Sequence, residues 1–227
     1  MISVVIPTLN AAAGLPRCFD SLLEAAMRGL VREVIVADGG STDDTLMLAE
    51  AAGAHVVSAS SCRGHLMQKG AESARGDWIL FLRPDTVLEA GWEDEAFAFV
   101  ERSSLDRPRA AAFRFALDDF EPRSRRLESM MALRCWLGGP PSGDQGLLIP
   151  RRLYNKLGGF NRLDAMEDVD FARRLGRKRI VMLRSRAIIR AERVQSRGRL
   201  HELMFNLGML LLYALRVPMP LLMRIYG

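Results

Sequence analysis

Residues 76–86 read G-D-W-I-L-F-L-R-P-D-T. Within them, residues 78–82 form an unbroken apolar run, with Gly76 and Asp77 before it and Pro84 after it. A short apolar run closed by turn formers predicts a strand buried on both faces, as in a parallel sheet covered by helices. The run ends abruptly in charge, at Arg83 and Asp85. Ligands of open α/β sheets bind beyond the carboxyl ends of the strands. Asp85 is therefore a candidate site residue as well as a candidate turn or helix cap.

Toward the N-terminus the same grammar repeats. Residues 2–6 are β-branched and apolar and stop at Pro7, which predicts a first buried strand. Thr8, Leu9 and Asn10 follow without a G-x-G-x-x-G, which argues against a dinucleotide-binding Rossmann domain. Residues 15–30 carry Leu15, Phe19, Leu22, Leu23 and Met27 at helical spacing. A second strand at residues 33–37 runs into Asp38. The loop D-G-G-S-T-D-D-T at residues 38–45 has two glycines for a tight turn. Its Ser41 and Asp44 have the spacing of a capping box that opens a helix to about residue 52. A third strand is expected at residues 55–58 and a helix at 63–74. Strands alternating with helices specify a parallel sheet with right-handed crossovers. If the first and fourth strands are neighbours, Asp38 and Asp85 share one rim of it.

Toward the C-terminus the pattern is less regular. Helices are expected at residues 92–100, 152–157 and from Glu167 to about residue 175, and residues 121–137 read as a basic helix or a mobile segment. Strands are expected at 110–117, 147–149 and 179–183, with 187–190 a candidate continuation of the last. The breaker-rich G-G-P-P-S-G at residues 138–143 reads as a loop that leads into Asp144, Gln145 and Gly146. Residues 203–215 are strongly apolar, but too few to span a bilayer as a helix. Flanked by Arg197, Arg199, Arg216 and Arg224, they suit packing on the domain, packing on a partner subunit, or an interfacial helix on an anionic membrane.

With 227 residues, 49% of them hydrophobic, the chain is read as one large folded domain over residues 1–227, with 197–227 an apolar helical tail. A formal charge of +5 points to an anionic partner: phosphates of a small molecule, a lipid surface or nucleic acid. Aromatics are 7%, without basic-aromatic interleaving, so nucleic acid is set aside. Cys18, Cys62 and Cys135 are scattered, as expected for reduced thiols in a cytosolic chain without a zinc site. The opening residues carry no signal-peptide pattern.

Five segments taken in order resemble the family 2 glycosyltransferases: I-S-V-V-I-P-T-L-N, A-D-G-G-S-T-D-D-T, F-L-R-P-D-T, G-D-Q-G, and G-G-F-N followed by M-E-D-V-D-F-A-R-R-L. The narrower resemblance is to a bacterial subgroup associated with radical-SAM and selenium-related genes. The family implies the α/β GT-A fold, a Rossmann-like, mostly parallel sheet flanked by helices. It implies transfer of a sugar from a UDP- or GDP-linked donor to an acceptor hydroxyl, with inversion. Such transfer needs a base for the acceptor proton, and commonly Mg²⁺ or Mn²⁺ as a Lewis acid on the diphosphate. Carried over residue by residue, Pro7, Thr8 and Asn10 line the nucleotide, and Asp38 hydrogen-bonds the uracil or ribose. Arg63 matches a basic donor-site position, Asp85 binds metal and diphosphate, and Arg83, on the donor side, could contact the diphosphate directly. Asp144 and Gln145 lie on the acceptor side. Asp168 is the base, with Glu167 beside it.

The chain also departs from the family pattern. Gly39 replaces the second acid of D-D-G-S, and Leu66 and Gln68 replace polar residues expected after Arg63. Arg83 stands where the first acid of a D-x-D would be, leaving one carboxylate at the metal position. That departure keeps alive a second reading, a non-catalytic nucleotide-sugar or membrane-surface binding protein with a decayed metal site. A nucleotidyltransferase would need a Gly-rich, basic loop after the first strand, and residues 7–10 are neither. The expected location is cytoplasmic, with peripheral contact to the inner membrane face and a homodimer through the tail as further expectations.

Overall fold

Ile2–Thr8 (β1) is buried along its whole length, and its position explains the rest of the sheet. The computed structural model describes residues 1–59, 62–103, 107–136, 139–163 and 166–192. On one side of β1 lies Val31–Asp38 (β2), on the other Trp78–Phe81 (β4), both parallel to it. Thr8 is in register with Asp38, and Val5 with Phe81. The carboxyl ends of these strands therefore form one rim, with Arg83 and Asp85 just beyond β4. His55–Ser58 (β3) extends the parallel part at the edge, beside β2.

The helices Leu15–Met27 (α1), Thr45–Ala51 (α2) and Arg63–Ser73 (α3) occur in the expected alternation with these strands. Period-2 alternation divides β1 between two cores. Val4 and Ile6 pack with Leu15, Leu22, Trp92 and Phe113, whereas Val5 packs with Met67, Ile79, Phe81 and Phe171. Burial on both faces is what the apolar run at 78–82 predicted.

Beyond β4 the sheet changes character. The strand order is β3-β2-β1-β4-β7-β6-β8-β5, with Thr86–Leu88 as β5, Ala110–Leu117 as β6, Leu147–Pro150 as β7 and Ile180–Ile189 as β8. β7 runs antiparallel to both β4 and β6, and β5 antiparallel to β8, while β6 and β8 are parallel, so the sheet is mixed, with four of its seven pairings among the described residues parallel. The reversal has a functional consequence. Phe81 is opposite Leu147, so the entry to β7 lies at the rim where β1, β2 and β4 exit. The 3₁₀ turn Gly143–Gln145, just before β7, is delivered there.

Three local expectations change. β5 is a strand too short to show in sequence, and residues 180–189 form one continuous strand. The Ser41–Asp44 capping box is absent: α2 starts at Thr45, and the Ser41 hydroxyl donates to Asp38 at 2.5 Å instead.

The remaining helices are Trp92–Arg102 (α4), Pro122–Trp136 (α5), Arg151–Lys156 (α6) and Glu167–Leu175 (α7). An aromatic cluster of Phe81, Tyr154, Phe160 and Phe171 ties α6 and α7 to β4, with the Phe81 and Phe160 rings edge-to-face at 4.9 Å. Each such pair adds about 0.5–1.5 kcal/mol beyond area burial, enough to fix where α7 begins. Met1–Ile189 form one compact unit and Arg190–Gly227 group separately. The expected tail at 197–227, with its membrane or dimer role, lies outside the described residues. Among the described residues no helix is long and apolar enough to cross a membrane.

Candidate active site

At the β1 and β2 ends, backbone and side chains are stitched into one loop pair. Asp38 is 2% exposed. Its Oδ1 accepts from the Thr8 hydroxyl at 2.8 Å and the Ser41 hydroxyl at 2.5 Å, and its Oδ2 from the Gly40 and Ser41 N–H groups at 2.8 Å each. A carboxylate offers about four lone-pair positions, and the protein itself fills all of them. Burial works to raise the Asp38 pKa, but the hydrogen bonds from Ser41, Thr8 and Gly40 outweigh it and hold the carboxyl below its ordinary value. Asn10 is exposed, in left-handed conformation at φ 50°. Its N–H donates to the Ser41 hydroxyl at 2.8 Å, and its Oδ1 accepts from the Thr42 N–H at 2.9 Å. Asp38 thus shapes the loop from within, and Asn10 presents it to solvent.

Across the rim, α3 and α7 meet. Gly64 makes this possible: a Cβ there would lie 2.2 Å from the Asn161 carbonyl oxygen. The close approach brings Arg63 Nε onto Glu167 Oε1 as a hydrogen-bonded ion pair. Glu167 is 1% exposed, and its Oε2 is buried with no hydrogen-bond partner. Burial pushes its pKa up, against the pull of the Arg63 guanidinium. Burial works against the charge of Arg63 too, yet the carboxylates of Glu167, Asp168 and Asp144 hold its pKa above the ordinary value.

Asp168, next in the chain, is half-buried and faces the cleft. Its Oδ2 accepts from the Gly143 N–H at 2.6 Å and its Oδ1 from the Val169 N–H at 2.8 Å. Glu167, Asp168 and Asp170 occupy the first turn of α7 and Arg173 and Arg174 the last, the distribution the helix dipole favours. Asp170 is used within the fold. It pairs with Arg174 at 2.7 Å, and Arg174 also donates to the Leu157 and Gly159 carbonyls.

Arg83 lies between the two sides. Its Nη1 is 3.1 Å from Asp144 Oδ1, and its Nε is 3.7 Å from Asp85 Oδ1. Pro7, Arg63, Arg83, Gly143 and Asp168 line one cleft, part of it open to solvent.

The donor set around Asp85 does not fit the divalent cation that the resemblance implies. Asp85 and Asp144 are both engaged by Arg83, a permanent positive charge. Among the described residues, no three His, Cys, Asp or Glu side chains come together as metal ligands. Gln145 also differs from its expected place on the acceptor side. It is 2% exposed; its Oε1 accepts from the Ser142 N–H at 3.0 Å and its Nε2 donates to the Phe113 carbonyl at 2.9 Å. It closes the turn that presents Asp144. The Gly143 N–H was not anticipated as a site group, though the breaker-rich run at 138–143 marked the loop that carries it.

The chain is similar to known proteins over this same region. Residues 3–181 match the family model described as Glycosyl transferase family 2. A PGL/p-HBAD biosynthesis glycosyltransferase of Mycobacterium tuberculosis is 35% identical over 108 residues, 44% of this chain and 41% of that protein. Glucosyl-3-phosphoglycerate synthase of M. tuberculosis is 37% identical over 95 residues, 38% of this chain and 29% of that protein. The chain therefore spans less than half the length of these curated relatives.

Among solved structures, the M. tuberculosis glucosyl-3-phosphoglycerate synthase in complex with Mn²⁺, UDP and glucosyl-3-phosphoglycerate aligns with TM-score 0.61 and 27% identity, covering 83% of this chain and 70% of that one. A fragment of S. aureus TarS in complex with UDP-GlcNAc aligns with TM-score 0.63 and 19% identity, over 82% of this chain and 58% of that one. The fold is that of the GT-A glycosyltransferases. With the family model matching well over half of its residues, the chain belongs to glycosyl transferase family 2.

Proposed function

We propose that this chain moves a sugar from a nucleotide-diphosphate donor, UDP- or GDP-linked, to an acceptor hydroxyl with inversion at the anomeric carbon. The observation that carries the reading is the cleft itself: a half-exposed carboxylate, Asp168, faces the same space as two guanidinium groups, Arg63 and Arg83. A base opposite fixed positive charge is what displacement of a diphosphate by a hydroxyl requires. The binding of UDP by similar GT-A structures supports the donor class.

The nucleotide lies along Pro7, Thr8 and Asn10. Asp38 holds the Gly40–Ser41 turn in shape for it, since its own acceptor positions are filled. The diphosphate faces the side of the cleft where Asp85 and Arg83 follow β4, and the acceptor enters past Asp144. Asp168 takes the acceptor proton, held in place by the Gly143 N–H. Glu167, buried behind Arg63, sets the position of that arginine.

The narrower resemblance to the radical-SAM and selenium-associated subgroup is part of this proposal. So is a cytoplasmic site with peripheral contact to an anionic membrane face, which the charge of +5 and the Arg-flanked apolar stretch at 203–215 support. Sedimentation with anionic vesicles that falls with added salt is expected, and a protein that stays in the supernatant at low salt would remove the membrane contact.

The test of the function is a panel of UDP- and GDP-linked sugars with simple hydroxyl acceptors, 3-phosphoglycerate among them, read by nucleotide release and product stereochemistry. Transfer with inversion from one donor class is expected. Tight donor binding with no turnover across the panel would replace the enzyme with a nucleotide-sugar binding protein.

A further inference from the structure

We infer that Arg83 is the fixed cation for the donor diphosphate, standing where the family's divalent ion would be. The inference rests on the glycosyltransferase reading above and deepens it. Three observations carry it. Arg83 follows β4 directly, at the rim where ligands of such sheets bind, and it lines the cleft. Its guanidinium is pinned from both sides, by Asp144 at 3.1 Å and Asp85 at 3.7 Å, so its charge is placed before any ligand arrives. And 20% of its side chain remains exposed, so a ligand in the cleft can reach it.

A divalent ion held by Asp85 would meet this positive charge at close range in a partly buried site, where Coulomb repulsion is weakly screened. A guanidinium, by contrast, is always protonated and presents a planar fork that matches two phosphate oxygens. Asp85 then acts as a positioning residue for Arg83 rather than as a metal ligand.

The transfer balances without a metal. The acceptor oxygen bonds to the anomeric carbon as the bond from that carbon to the diphosphate oxygen breaks. The electron pair of the broken bond stays on the diphosphate. The acceptor proton passes to Asp168. Arg83 offsets the negative charge gained by the leaving group and exchanges no proton.

The experiment measures UDP, GDP and UMP binding to the full-length wild type by calorimetry, in EDTA and then in Mn²⁺. It is repeated with Arg83→Gln and Arg83→Asp, after circular dichroism confirms that each variant is folded. One nucleoside diphosphate is expected to bind the wild type equally well in EDTA and in Mn²⁺. Arg83→Gln should lose roughly tenfold or more in diphosphate affinity, the scale of a charged hydrogen bond, with the monophosphate much less affected. Arg83→Asp should bind the diphosphate only when Mn²⁺ is supplied. Wild-type binding that disappears in EDTA and returns with Mn²⁺ would overturn the inference while leaving the glycosyltransferase reading intact, and this arm needs no variant. Failure of UDP and GDP to bind under both conditions would overturn the donor reading and the inference together.

Discussion

Asp38, at the β1 and β2 ends, and Glu167, where α3 and α7 meet, are 2% and 1% exposed, and they are buried in opposite ways. Burial penalises the charge of both. Asp38 receives four hydrogen bonds from the end of β1 and the loop that follows β2, and the charged form wins. Glu167 receives Arg63 on one oxygen, and its other oxygen is buried without a partner, so burial wins despite the cation. The number of donors aimed at a carboxylate decides its state here more than the presence of an opposite charge. The half of the site at the β1 and β2 ends is therefore preset by neutral donors. The half where α3 and α7 meet is held by ion pairs that a ligand can compete for.

The largest effect is expected at Asp168, the accessible acid beside Glu167. Asn has nearly the same shape and keeps an acceptor for the Gly143 N–H, but it takes no proton. Asp168→Asn should retain nucleotide affinity and lose roughly 10²-fold or more in turnover, the usual scale for a positioned base. Initial rates and UDP or GDP affinities for wild type and variant check this. Turnover within a few-fold of wild type would mean that the site supplies its base elsewhere, with Asp144 the next residue to replace.

Asp38→Asn comes second, and its effect falls on stability. An amide leaves a donor facing N–H and O–H donors, so the Gly40–Ser41 turn loses charged hydrogen bonds worth about 1.5–3 kcal/mol in such settings. The sign with pH follows from the lowered pKa of Asp38. Its contribution is present above the unfolded value of about 3.9 and is lost as pH falls through the lower folded value. Denaturant titrations at pH 7 and in strong acid should show the wild-type advantage at the first and its loss at the second. A variant as stable as wild type at pH 7 would show that the turn holds without the carboxylate, and would return Asp38 to the list of direct nucleotide contacts.

The two halves were also unequally legible in the sequence. The parallel part was readable because each strand is an apolar run cut by Pro or Gly, and the rim followed once β1 and β4 paired. The direction of β7 was not, because alternation encodes which face is buried and not which way a strand runs. β5, with three residues, is below what periodicity registers. The motifs located Asp38 and Gln145 but did not tell how many of their hydrogen-bonding positions the fold consumes. Ser41 chose a partner across its own loop over a helix cap, a competition between two satisfactions that spacing alone does not decide. Arg63 with Glu167 and Arg83 with Asp144 join residues far apart in the chain, and only the antiparallel entry to β7 and the close approach at Gly64 bring them together.

The smallest effect is expected at Glu167, and it tests the comparison most directly. Gln matches the shape of the protonated carboxyl, keeps an acceptor for Arg63 and carries no charge. Arg63 is 34% exposed, so water screens part of the charge pairing that is removed. Glu167→Gln should lie within about 1 kcal/mol of wild type at pH 7. The pH dependence runs opposite to that of Asp38. With its folded pKa raised above the unfolded value of about 4.3, Glu167 contributes stability that is fully present below that value. The contribution is lost as pH rises through the folded pKa. The variant lacks this loss, so its stability relative to wild type should improve from about pH 4 upward until the folded pKa is passed. Paired denaturant titrations across that range measure the difference. A variant that instead falls several kcal/mol behind, with the gap widening as pH rises, would mean that Arg63 keeps Glu167 charged. Glu167 would then behave like Asp38, and one opposite charge would be worth as much in this site as four neutral donors.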